Sequence, residues 1–176
     1  MTINGEKVNL NSSRHEFLVN SYSKVVDRIN PESLIAVSKT MPAEDIRLVF
    51  DLGQKRFGEN YALEFLEKYK QLQGLGIDWH FIGHLQSNKA AHVVGKARLI
   101  HSVDRYSLAT AINKEAMKLG IVQEVLIQIN ISGEASKGGI LPDQLENTVT
   151  EIKNLQGIEI RGLMSIGSSS IEKARE

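Results

Sequence analysis

Short apolar runs alternate with longer stretches in which apolar residues recur every three or four positions, and the alternation repeats along the chain. The first long stretch, residues 12–29, puts Phe17, Leu18, Tyr22, Val25, Val26 and Ile29 at helical spacing. Pro31 follows, where a helix commonly stops. Residues 34–37 predict a short apolar strand, and Pro42 stands near the first position of a second helix that runs to Gly53. The same pattern predicts strands over 55–57, 78–82, 99–103, 122–131 and 158–164. Helices are predicted over 59–72, 87–94, 105–119 and 142–155. Gly167 and residues 168–170 read as a turn, and 171–176 as the start of another helix.

That makes six strands, each followed by a helix or the start of one. Such alternation implies a parallel sheet, because parallel strands need long crossovers. Two architectures satisfy it, an open doubly wound sheet and a (β/α)₈ barrel of the TIM type. No Gly-x-Gly-x-x-Gly follows the first strand, which weakens the dinucleotide-binding version of the open sheet. A barrel needs eight units, usually about 250 residues, and this chain of 176 residues supplies six. The expectation is one domain over 1–176, with about six of eight barrel units present and the C-terminal part incomplete.

Composition narrows the chemistry. A hydrophobic fraction of 41% and a charged fraction of 24% suit a soluble globular protein with a core of its own. Lys+Arg and Asp+Glu are both 21, so no basic face is advertised and nucleic-acid binding has no compositional support. With no cysteine, disulfides, thiolate metal sites and cysteine nucleophiles are excluded. The polar segment 1–11 lacks the pattern of a secretory signal. No apolar run approaches the roughly 18 residues that span a bilayer, so the expected location is the cytoplasm, with no membrane contact.

In a parallel α/β fold, ligands sit at the carboxyl ends of the strands. Lys39 stands there after the first strand. An amine nucleophile must be neutral, and partial burial at a barrel mouth favours the neutral form. Position alone is also compatible with a lysine whose stem snorkels to water. Glu59 and Asn60, expected to open the helix over 59–72, suit its free N–H groups, and Asn60 could instead present its amide to a ligand. His80 and His84 lie four apart, but no third ligand or His-Glu-x-x-His accompanies them, and a packed, hydrogen-bonded His80 is the simpler account. Gln86, Asn88 and Lys89 suit a cap or a solvated face. Ser136, Lys137, Gly138 and Gly139 could wrap an anion or form a flexible loop. Ser165 and Gly167 suit either a ligand contact or a turn.

Taken together, certain segments are far more specific than any residue alone. They are 34–40 (LIAVSKT), 57–61 (FGENY), 79–89 (WHFIGHLQSNK), 100–105 (IHSVDR), 125–139 (VLIQINISGEASKGG) and 161–166 (RGLMSI). In this order they resemble the homeostasis family that binds pyridoxal 5′-phosphate (PLP), known as YggS/PROSC/PLPBP. The resemblance implies a barrel like the alanine racemase N-terminal domain, standing alone. It implies that Lys39 holds PLP as a Schiff base, that Asn60 lies beside the cofactor ring, and that Met164 and Ser165 line the pocket. His80 is carried over with WHFIG. Family members are regarded as PLP carriers or regulators of vitamin B6 and amino-acid pools, without established turnover. The implied partners are PLP and PLP-dependent apoenzymes, with the protein a monomer or weak dimer. The alternatives are a PLP-dependent amino-acid racemase and a module for some other anion at Lys137–Gly139. One departure stands out. The family's later segments, like SMGMSxD and GSTxVRIG, are not among these 176 residues. They hold most of the phosphate contacts, which are therefore expected beyond Glu176.

Overall fold

Two neighbouring parallel strands need a crossover that carries the chain back to the starting end of the sheet. The structure, a computed structural model that describes residues 10–134 and 137–167, repeats this step without interruption. After α1 (Leu10–Val26) come β1 (Ala36–Val37), α2 (Ala43–Asp51), β2 (Arg56–Glu59) and α3 (Ala62–Gln71). Then follow β3 (Asp78–Phe81), α4 (Ala90–Val93), β4 (Leu99–Val103) and α5 (Tyr106–Leu119). The series ends with β5 (Gln123–Ile129), α6 (Leu145–Lys153) and β6 (Ile158–Ser165). Ser136, the turn expected at 168–170 and the helix expected at 171–176 lie outside the described residues.

The six strands pair in the order β1-β2-β3-β4-β5-β6, and every neighbour is parallel. A doubly wound sheet reverses direction at a switch point. This order never reverses. Right-handed crossovers that always advance the same way put their helices on one face. The opposite face then turns inward, as it does in a barrel.

Alternation along each strand sorts the side chains accordingly. Phe57, Trp79, Phe81, Ile100, Val125 and Ile127 are buried on the helix face, against Ile46, Phe65, Val93, Leu108, Ile112 and Ile152. Phe65 of α3 is the hub of the aromatic packing. Its ring meets Trp79 and Phe81 edge-on, with centroids 5.7 and 6.3 Å away, a geometry that suits the ring quadrupoles. Gly58 and His80 pair in register and face inward, as do Gln128 and Met164.

The N-terminal ends of the strands are sealed by two buried glutamines. Gln54 donates to Leu34 O and Arg56 O, both at 2.8 Å. Gln123 donates to Ala97 O at 3.0 Å and accepts from Gly95 N at 2.9 Å. Each satisfies backbone groups that the sheet leaves over.

Several boundaries move for identifiable reasons. The first strand shortens to two residues because Pro31–Ser33 makes a 3₁₀ turn, capped by the Asn30 side chain, and Leu34 closes it. The segments expected as single helices over 87–94 and 142–155 each begin with a 3₁₀ turn, Ser87–Lys89 and Pro142–Gln144. Glu59 does not open a helix. It is the last residue of β2, paired with Phe81, and α3 starts at Ala62. Its carboxylate is drawn into the layer between sheet and helices, where it finds a cation.

Phe65→Ala is expected to remove about 3–5 kcal/mol of stability, the usual cost of deleting a buried aromatic ring. Denaturant unfolding of the variant against the unaltered chain measures it.

Candidate functional site

Because every strand is parallel, all the carboxyl ends lie on one rim. Ser38 extends β1 by one more ladder bond, its N–H donating to Gly58 O at 2.9 Å. Ser38 is buried and Lys39, the next residue, is exposed at the rim. The partial burial expected for Lys39 is therefore not found. The reason is local: the strand ends at Val37, and the chain turns away at once. Thr40 adopts φ +64°, and it is the one non-glycine residue with positive φ among the described residues. A β-branched side chain in that region is costly, by about 1–3 kcal/mol. Something must hold it there.

The restraint lies behind the sheet. Ser38 Oγ donates to Glu59 Oε1 at 2.7 Å. Lys68 Nζ, reaching up from α3, donates to the same oxygen at 2.8 Å, to Ser38 O at 2.6 Å and to Glu64 Oε1 at 2.5 Å. Glu64 Oε1 in turn accepts the Thr40 N–H at 2.5 Å. The side chains of Lys68 and Glu59 are 7% and 0% exposed, so this is a buried ion pair. Removing one partner of such a pair typically costs about 3–5 kcal/mol, because the other charge is left buried and alone. The sequence reading missed this cluster. Its only local trace is Glu64 and Lys68 at i, i+4 on a helix, a spacing that usually marks a solvated surface pair.

Asn60 follows β2, and its Oδ1 is buried with no partner. The backbone after β3 presses on it: a Cβ on Gly83 would lie 2.1 Å from Asn60 O, so only glycine fits there. Buried acceptors are nearly always bonded, and this one is free for a donor from a ligand.

His80, on the inner face of β3, meets His101 of β4. Their Nδ1 and Nε2 atoms stand 2.8 Å apart, while His80 Nε2 is buried without a partner. Burial, first of all, pushes His80 down from the ordinary imidazole value of 6.5 to about 4. His101, Arg56 and Arg98 add to this, and Asp78 opposes it. Burial lowers His101 as well. Both rings are therefore neutral near pH 7, with one N–H shared between them. His84 turns elsewhere, to Asp104 Oδ2 at 3.2 Å, which is also near Arg105. His80 and His84 thus do not converge, and no group of three potential ligands gathers among the described residues.

Met164 lies opposite Gln128 on the inner face, whereas Ser165 pairs with Ile129 and is exposed. The glycine loop after β5 is tied down by strand-end amides. Gln128 donates to Gly138 O at 2.8 Å, and Asn130 to Lys137 O and Glu134 O at 3.0 and 2.9 Å. Lys137 Nζ is engaged with Glu134 and with Gly167 O, both at 3.1 Å. Of the expected site residues, Lys39, Asn60 and His80 thus come from three successive strands. Met164 and Ser165 stand on β6, at the other edge of the described sheet.

The model of the alanine racemase N-terminal domain family matches residues 17–176. The chain belongs to that family. A pyridoxal phosphate homeostasis protein of Aquifex aeolicus is 46% identical over 137 residues, 78% of this chain and 60% of the relative. The protein of the same name from Escherichia coli K12 is 42% identical over 147 residues, covering 82% and 63%. The chain thus spans roughly three fifths of the length of these curated relatives. Among solved structures, PipY of Synechococcus elongatus without PLP superposes with a TM-score of 0.80 at 35% identity, over 88% of this chain and 73% of PipY. PipY has also been solved with PLP bound, and that structure gives 0.78 at 34%, over 88% and 72%. Alanine racemase of Clostridium difficile, at 16% identity and a TM-score of 0.66 over 88% of this chain and 40% of the enzyme, shares the fold. The family's barrel, with six of its strands in these residues, is the fold of this chain.

The histidine pair makes stability depend on pH. Each imidazole binds a proton less readily folded than unfolded, so acid favours the unfolded chain. Stability is expected to be fully present above about pH 6.5 and to fall as pH drops towards about 4. Denaturation midpoints across that window check it, and His80→Gln should flatten the slope.

Proposed function

We propose that this chain holds PLP on Lys39 as a Schiff base and serves vitamin B6 and amino-acid homeostasis as a cofactor carrier, without turnover of its own. The observation that carries the reading is the pairing at the ends of β1 and β2. An exposed lysine follows one strand, and an asparagine with an unpartnered buried amide oxygen follows its neighbour. The names of the relatives support it, since proteins 42–46% identical are pyridoxal phosphate homeostasis proteins. So does PipY, solved with PLP bound.

The residues fit the group. Lys39 would hold the group through its amine, which in the neutral form is the nucleophile that an aldehyde needs. Asn60 Oδ1 would accept a hydrogen bond from a hydroxyl without needing to give up another bond. His80 offers a second buried nitrogen, neutral at physiological pH and so able to donate or accept according to tautomer. Met164, facing inward, offers apolar surface to a ring, and Ser165 a hydroxyl at the rim. When bound, the cofactor supplies an electron-withdrawing ring conjugated to the new double bond. In this reading residues 1–176 act as one cofactor-binding unit in the cytoplasm, monomeric or weakly dimeric, and pass PLP to apoenzymes that use it. No helix among the described residues is long and apolar enough to cross a membrane.

The shared fold keeps a racemase as the second reading. Two-base racemisation needs an acid–base group facing the lysine, and turnover of any member of a panel of amino acids would favour it.

Addition of PLP to the chain is expected to give a visible absorbance band. Borohydride reduction should then fix the cofactor on the peptide that contains Lys39. Lys39→Ala should abolish both. An unchanged band in that variant, or label spread evenly over surface lysines, overturns the proposal.

A further inference from the structure

We infer that Glu64 and Lys68 of α3 are positioning residues for Lys39: they clamp, from the helix side of the sheet, the two peptide groups that flank it. The inference rests on the reading of Lys39 as the cofactor lysine and deepens it.

The donor and acceptor count leads to this assignment. A lysine ammonium has three protons to give, and Lys68 spends them on Ser38 O, Glu59 Oε1 and Glu64 Oε1. Ser38 O belongs to the peptide group that enters Lys39. The Thr40 N–H, held by Glu64 Oε1, belongs to the peptide group that leaves it. One ion cluster therefore grips the backbone immediately before and immediately after the same α-carbon. A third contact, Ser38 Oγ on Glu59 Oε1, anchors the residue before it again.

Thr40 gives the clamp a purpose. Its φ of +64° is unfavourable for a β-branched residue, and such conformations persist only where the surroundings over-determine them. Released, Thr40 would relax towards negative φ and swing the leaving peptide group of Lys39 with it. Lys39 itself is exposed, so little packing is available to fix its long side chain. Where its amine can reach is set by the backbone beneath it. A purely structural ion pair would need none of this. An apolar pair of similar volume fills a core as well and makes no bond to backbone on either side of one residue.

The test uses the whole chain and has one arm that needs no cofactor. Amide hydrogen exchange is measured for Thr40 and for core amides such as that of Ile127 in the unaltered protein, in Glu64→Ala and in Glu64→Gln. Glu64 lies partly at the surface, and both variants keep the Lys68–Glu59 pair. Loss of one charge-assisted bond is expected to speed Thr40 exchange about tenfold or more in Glu64→Ala, with core amides unchanged. Glu64→Gln, which keeps an acceptor oxygen, should stay near the unaltered rate. In the second arm PLP is added, reduced with borohydride and mapped by mass spectrometry. The rate of labelling at Lys39, relative to exposed Lys24, is expected to fall about tenfold in Glu64→Ala and to be rescued in Glu64→Gln. Lys68→Met should lower it further; if that variant does not fold, the Glu64 pair decides alone. Unchanged Thr40 exchange in Glu64→Ala overturns the clamp, as does acceleration spread evenly over all amides. Faster Thr40 exchange with unchanged Lys39 labelling overturns the positioning role. If the unaltered chain takes no label on Lys39, the cofactor reading fails, and exchange at Thr40 still decides the clamp.

Discussion

Everything at the candidate site follows from one constraint: each crossover between parallel strands advances to the next position in the same direction, and such crossovers take one hand. That constraint covers one face of the sheet with helices and bends the other inward. It also gathers every strand's carboxyl end on a single rim. Residues that lie 21 and 41 positions from Lys39 in the chain, Asn60 and His80, are thereby carried to the ends of adjoining strands. The chemistry needs no long-range coincidence beyond the repeat itself.

The two faces then divide the work. The helix face holds the aromatic cluster around Phe65 and, at its upper edge, the charged cluster of Ser38, Glu59, Glu64 and Lys68. On both faces of β2 and β3, close to the rim, lie polar groups that are short of partners. Of the buried side-chain polar atoms without a hydrogen bond among the described residues, all belong to Glu59, Asn60 and His80. Elsewhere among the described residues no buried side-chain polar atom lacks a hydrogen-bond partner, as Gln54 and Gln123 illustrate at the opposite end of the sheet. Unmet bonding capacity therefore collects on β2 and β3, next to Lys39. Leaving such groups unsatisfied costs stability, and among the described residues that cost is concentrated beside one exposed amine.

Much of the architecture was legible before any coordinates. The periodicity of the apolar residues predicts six strands and the helices between them, and β4 begins and ends where the pattern places it, at Leu99 and Val103. Helix starts were less legible. Glu59 reads as a first-turn acid because it precedes an apolar helical stretch; in fact it closes β2 and serves a lysine nine residues later. Ser87 and Pro142 begin 3₁₀ turns rather than α-helices, a distinction in hydrogen-bond register that residue type alone does not encode.

By itself the sequence determined the alternation of strand and helix, the absence of cysteine chemistry, and the set of segments that mark Lys39, Asn60 and His80. These are local properties, written in spacing and residue type. The tertiary structure decided what surrounds them. It chose the barrel over the doubly wound sheet through strand order, paired His80 with His101, turned His84 away to Asp104, and left Lys39 exposed. It also put Lys68 under the backbone of Lys39. Each of these depends on which residues meet across neighbouring elements, and that is fixed only when the strands take up their register and the helices pack behind them.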